Sequence, residues 1–194
     1  MPDATASVIL AAVDRHGILL VHDKVLPSVT ALVVGAPVAG SWWSHPLANT
    51  IYNALGALDD DVATVKLLNG KSTLVARRLW PDLAGVGAAA DAWQTAGLDD
   101  ETLALLAAIA RSPAPLVVDK AQRPAAERLE RRLLVHTTDI HTPNGHHAKG
   151  HQAWGHWARD RAVTPTADGA AARAVFDALA AALARPGTPA KLPW

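Results

Sequence analysis

Apolar positions first fall into register at Val8, Ile9, Ala12 and Val13, a spacing that predicts a short helix over Ser7 to Arg15, ending near Gly17. Ile18 to Val21 is an unbroken apolar run and reads as a short strand. Pro27 and Ser28 then open a second helical stretch, Val29 to Val34, which Gly35 and Pro37 close. A third helix is expected from Ser44-His45-Pro46, with the proline in the first turn and Ser44 or His45 at the cap. Its Leu47, Ile51, Leu55 and Leu58 recur at helical spacing and should face inward, leaving His45, Asn49, Tyr52 and Asn53 outside.

The pattern then changes period. VATVKLLNGKSTLVARR holds two alternating runs around Asn69-Gly70, the dipeptide that a two-residue type I′ turn prefers. Such a turn pairs Lys66 with Thr73 and Leu68 with Lys71. It puts Val65, Leu67 and Leu74 on one face and Thr64, Lys66, Lys71 and Thr73 on the other. Three short helices followed by a hairpin is the element order of a winged helix-turn-helix, in which the third helix reads DNA and the hairpin is the wing.

After a connecting helical segment from Trp80 to Gln94, the pattern recurs. Asp99 and Asp100 suit the cap and first turn of a helix over Leu103 to Arg111, which Pro113 and Pro115 end. LVVD is a short apolar run, and Pro124 opens another helix, with Leu129, Leu133 and Leu134 inward and Arg128, Arg131 and Arg132 on or beside the outer face. A second Asn-Gly pair, Asn144-Gly145, predicts a second hairpin tip that sets His147 opposite Thr142 and His151 opposite Thr138. The alternative is one helix from Pro143 to Arg161, which Gly145, Gly150 and Gly155 would weaken by about 1 kcal/mol each. Asp168 can cap a final helix with Val175, Phe176, Leu179 and Leu183 as its stripe, a packing element and possible homodimer contact.

The expected fold is therefore mainly α with small β-hairpins, an α+β tandem winged helix-turn-helix. Its parts are a first winged-helix unit over 1–80, a connecting helix over 81–98, a second unit over 99–162, and a C-terminal packing helix and tail over 163–194.

Composition narrows the function. The chain has 194 residues, half of them hydrophobic, enough for an ordinary core. With no cysteine, disulfides, thiolate zinc sites and cysteine nucleophiles are excluded. MPDATASVIL lacks a basic region and cleavage pattern, and no apolar run approaches the roughly 18 residues of a bilayer span, so a cytoplasmic location and no membrane partner are expected. Eighteen basic residues balance eighteen acidic ones, so any hold on phosphate must come from local patches.

Asn49 and Asn53, one helical turn apart, could bond adenine in the major groove; otherwise they are solvated surface. The phosphate candidates are Lys66 and Lys71 on the hairpin, Arg77 and Arg78 at its base, and Arg128, Arg131 and Arg132 with Glu127 and Glu130 as competing partners. His45, His147 and Lys149 complete the expected DNA-binding set. HTPNGHHAKGHQAWGHW holds five of the nine histidines. Together with His136 upstream, these histidines suggest zinc at His136, His141, His147 and His151, with Asp139 as an oxygen donor, but they match no familiar zinc spacing, so no metal or other cofactor is expected. Trp42 and Trp43 could stack on unpaired bases, although in a chain with one phenylalanine and one tyrosine the tryptophans are needed as core.

GSWWSHPLANTIYNALGAL, VKLLNGKSTLVARRLWP and LERRLLVHTTDIHTPNGHHAK resemble a group of small bacterial AlkZ-related proteins, over roughly residues 10 to 160. These are similar to the winged-helix DNA glycosylases of the AlkZ/YcaQ type, which excise alkylated bases and unhook interstrand crosslinks. The resemblance implies the architecture and a link to DNA repair. Those glycosylases position the attacking water with a glutamine-x-aspartate or glutamine-x-glutamine motif, and this chain has neither, so no catalytic residue is assigned. The expected function is nucleic-acid binding, with DNA as partner; the alternatives are an AlkZ-like glycosylase or a winged-helix protein-interaction module.

Overall fold

A computed structural model describes residues 4–141 and 147–194. The chain is mixed α+β with two small antiparallel sheets, and it divides into two compact units, 1–80 with 174–192, and 81–173 with 193–194. Among the described residues no helix is long and apolar enough to cross a membrane.

The first unit runs α1 (Ala4–His16), β1 (Ile18–Leu20), α2 (Val29–Val34), a 3-10 turn at Trp42–Ser44, α3 (Ala48–Gly56), β2 (Val62–Lys66) and β3 (Ser72–Ala76). The sheet order is β1-β3-β2, all antiparallel. Ser28 caps α2 by accepting from the Ala31 N–H, and Gly35 ends it at φ 83°, a left-handed turn that glycine takes without strain. Ile9 and Val13 of α1, Ile51 and Ala54 of α3, and Leu19, Val62 and Leu74 of the sheet share one buried cluster.

The third helix begins later than its sequence suggests. Leu47, not Ser44 or His45, stands at the N-cap, because residues 42–44 form their own 3-10 turn and His45 Nδ1 accepts the Leu47 N–H at 3.2 Å. Leu47, expected inside, is exposed, while Ile51 and Leu58 are buried.

The hairpin differs by one residue. Lys66 pairs with Ser72 and Val65 with Thr73, so five residues separate the strands. Leu67 and Leu68 are both fully buried, which strict alternation cannot achieve. The chain instead rolls into a 3-10 turn over Leu68–Gly70, with Asn69 and Gly70 both at positive φ. The slip moves Thr73 from its expected polar face into the core, where its Oγ1 accepts the Leu68 N–H at 3.1 Å. Nor does the tip stand free: the Asn69 N–H donates to the Lys191 carbonyl at 2.8 Å, and Asn69 Oδ1 accepts the Lys191 N–H at 2.9 Å.

The second unit runs α4 (Trp80–Ala88), α5 (Ala92–Thr95), α6 (Asp100–Arg111), β4 (Leu116–Val117), α7 (Arg123–Arg131), β5 (His136–His141), β6 (His147–Gln152) and α8 (Trp154–Asp160). α9 (Gly169–Leu183) begins in this unit and continues into the first. The sheet order is β4-β6-β5, again with the first strand beside the third. Asp99 caps α6 as expected, accepting the Thr102 N–H at 2.8 Å. A strand over 147–152 and a helix from Trp154 replace the alternative long helix. His151 pairs with Thr137 rather than Thr138, one residue off again, and five residues separate His141 from its partner His147. The turn expected at Asn144-Gly145, with His146, lies outside the described residues.

Trp154 and Trp157 of α8 are core, as are Leu129, Leu133 and Leu134. Of the stripe expected on α9, Phe176 and Leu183 are buried within the chain, Leu179 lies beside Gly17, and Val175 is exposed.

Candidate nucleic-acid interface

α3 carries its apolar residues on one side, so Asn49, Tyr52 and Asn53 are left in solvent on the other. The 3-10 turn before it delivers two tryptophans to the same end. Trp42 is half-buried against the core, and Trp43 stacks on it with ring centroids 4.1 Å apart while remaining 60% exposed. Trp43 also tilts toward Tyr52, centroids 5.6 Å apart. Three aromatic rings and two carboxamides thus lie on and beside one helix, with His45 ordering the turn between them. At the other end of α3 the chain is acidic, with Asp59 and Asp60 exposed.

Most of the cations expected to meet phosphate have structural partners. Lys71 Nζ lies 2.6 Å from Asp23 Oδ2. Burial works to raise the Asp23 pKa, but the Lys71 ammonium and the Leu26 and Val25 N–H groups outweigh it and hold the carboxyl below its ordinary value. Lys66 Nζ donates to Ser72 Oγ at 2.9 Å. Arg77 donates to the Asp60 carbonyl at 3.2 Å and lies 5.1 Å from the centre of the Trp80 ring. Arg78 is exposed.

In the second unit Arg128 pairs with Asp99 and donates to Thr102 Oγ1 at 3.1 Å. The Thr102 hydroxyl and N–H, with Arg128, hold the Asp99 carboxyl down to about 2. Arg128 therefore pairs across to α6, and not with Glu127 or Glu130 on its own helix. Arg132 donates to the Gln94 and Ala96 carbonyls at 3.0 and 2.6 Å, tying α7 to α5. Arg131 is exposed, and Lys149 Nζ lies 3.7 Å from Glu130 Oε1. His147 opens β6, with its backbone paired to His141.

The histidines suggested as metal ligands are spread along the hairpin, with His136 and His151 toward its base and His141 paired through the backbone with His147 at its far end. His136 pairs with Gln152 at the base of the hairpin, five positions and about 17 Å along the strand from His141. Its ring packs against Trp154 and Trp157, centroids 5.5 and 5.1 Å away. Neither ring nitrogen has a hydrogen-bond partner, and burial, with the nearby Arg161 charge, lowers its pKa to about 3. Among the described residues no group of three or more His, Asp or Glu could hold a metal.

Sequence reasoning did not reach Asp23 or Gln94. Asp23 lies 48 positions from Lys71, and its local sign is only the Asx-type turn it makes with Val25. Gln94 is fully buried, its amide donating to the Arg132 and Leu133 carbonyls, and its one local sign is the capping box in which its Oε1 accepts the Asp91 N–H at 2.9 Å. Compared with known protein families, with characterised proteins and with solved structures, the chain gives no match.

Proposed function

We infer that this is a nucleic-acid-binding protein of the winged-helix type, contacting unpaired or distorted bases through the open face of α3. The observation that carries the reading is the Trp43 and Tyr52 pair beside Asn49 and Asn53: exposed rings offer stacking surfaces and carboxamides offer paired hydrogen bonds to base edges. The element order of the first unit and its β1-β3-β2 sheet fit a winged helix with α3 in the reading position, and the β4-β6-β5 sheet of the second unit fits a tandem repeat. The AlkZ-like resemblance adds a link to DNA repair. The acidic end of α3 would repel phosphate and direct a strand toward the tryptophan end.

A second reading, a module that binds protein, is favoured by the internal pairing of Lys71, Arg128 and Arg132. One experiment separates the two: fluorescence anisotropy with labelled single-stranded, duplex and abasic DNA across salt, with free base measured in the same samples. Single strands or abasic duplex should bind more tightly than intact duplex, and Trp43→Ala should weaken them by roughly 5- to 100-fold, one lost stacking contact. No binding at low salt, or an unaffected Trp43→Ala, would leave the protein-binding module. Free base released from alkylated DNA would establish a glycosylase.

A further inference from the structure

The second unit contains a cleft of about 340 Å³ that the nucleic-acid reading does not use. One wall is α7, whose Arg123, Glu127 and Glu130 recur at helical spacing and so share a face. The facing wall is the β4 end, with Val117 and Val118, together with Lys149 and His151 of β6.

Glu130 is the unusual member. Its side chain is only 12% exposed, yet the cation beside it, Lys149 Nζ, stands 3.7 Å from Oε1, well beyond the roughly 2.8 Å of a charge-assisted hydrogen bond. A carboxylate withdrawn from water needs donors close to it. His151 does not supply the charge: it is buried, its Nδ1 faces Thr137 Oγ1 at 3.3 Å, and burial, helped by Lys149 and opposed by Glu130, keeps the ring toward its neutral form. The cleft thus presents a carboxylate with no close donor among the described residues, next to an ammonium that is half in solvent, with Arg123 and Glu127 repeating the pair of signs and two valines in the lining.

We propose that this cleft binds a small zwitterion of the amino-acid type, its ammonium donating to Glu130, its carboxylate held by Lys149 and Arg123, and its apolar side chain against Val117 and Val118. A purely anionic ligand would meet Glu130 and Glu127, and a purely cationic one Lys149 and Arg123. An α-amino acid carries its two charges about as close together as Glu130 and Lys149 hold theirs.

The test is calorimetric titration of the full chain with L-leucine, L-leucine methyl ester and N-acetyl-L-leucine. Glu130→Gln and Lys149→Met are titrated in parallel, with circular dichroism confirming that each variant is folded. Saturable leucine binding is expected, weakened about tenfold or more when either ligand charge or either side-chain charge is removed. Absence of saturable leucine binding up to millimolar concentrations overturns the proposal, as does a folded Glu130→Gln that binds leucine like the parent. Neither result bears on DNA binding, which is read at α3.

Discussion

At the scale of single residues, His136 and Asp23 have opposite pH signatures. The unfolded chain's imidazole takes a proton near pH 6.5, whereas the ring buried against Trp154 and Trp157 takes one only near 3. Protons therefore favour unfolding throughout that window, and stability should fall by about 2 kcal/mol between pH 7 and pH 5. Urea unfolding followed by tryptophan fluorescence should show this fall in the parent and much less of it in His136→Leu; parallel curves would refute the assignment. The Asp23 carboxyl, held below its ordinary value, contributes stability above about pH 4 and loses it only under stronger acid. Removing it should still be costly at neutral pH, because the Val25 and Leu26 N–H groups and Lys71 all lose their acceptor. Asp23→Ala should cost about 2–3 kcal/mol by thermal or urea unfolding. Lys71→Ala should cost only about 1 kcal/mol, since Lys71 is half in solvent and Asp23 keeps its two backbone donors.

At the scale of elements, what local chemistry specifies was legible. The cap at Asp99, the bounds of α2 between Ser28 and Gly35, and the presence of two hairpins all follow from short-range signals. Both hairpin registers lie one residue from those that a complete two-residue Asn-Gly turn would give. In the first hairpin the two adjacent leucines before it break the alternation, and both are buried. That break was visible in the sequence, whereas the hold of Lys191 on Asn69, 122 positions away, was not. Distance in sequence also hides the role of the α4 glycines. A side-chain carbon at Gly87 would overlap the indole of Trp154, whose Nε1 donates to the Leu133 carbonyl at 2.7 Å. Gly87→Ala must therefore displace a core tryptophan and should cost about 1–3 kcal/mol despite its gain in helix propensity. Stabilisation on urea unfolding would show that the indole has room to move.

At the scale of the whole molecule, zero net charge is less informative than where the charges are spent. Read along the sequence, Lys66, Lys71, Arg77, Arg78, Arg128, Arg131, Arg132 and Lys149 form a phosphate-binding set, and a single strand neutralised by all eight would lose affinity with a log–log salt slope of about −6. Folding commits Lys71 and Arg128 to carboxylates, Arg132 to backbone carbonyls and Lys149 to the neighbourhood of Glu130. Among the described residues of the first unit, where the α3 face lies, Arg77 and Arg78 make no ion pair with a carboxylate side chain. Two phosphate contacts correspond to a slope of about −1.4 for single-stranded DNA, with most of the affinity coming from stacking that salt does not screen. Anisotropy titrations over a range of potassium chloride concentrations measure this directly. A slope of about −1.4 that nearly vanishes in Arg77→Ala/Arg78→Ala, while Trp43→Ala lowers affinity without changing the slope, would separate the phosphate contacts from the stacking ones. A slope near −6 would mean that binding opens the internal pairs, and Asp23→Asn and Asp99→Asn should then bind more tightly than the parent. If they do not, the steep slope would have to come from cations outside the set chosen from the sequence.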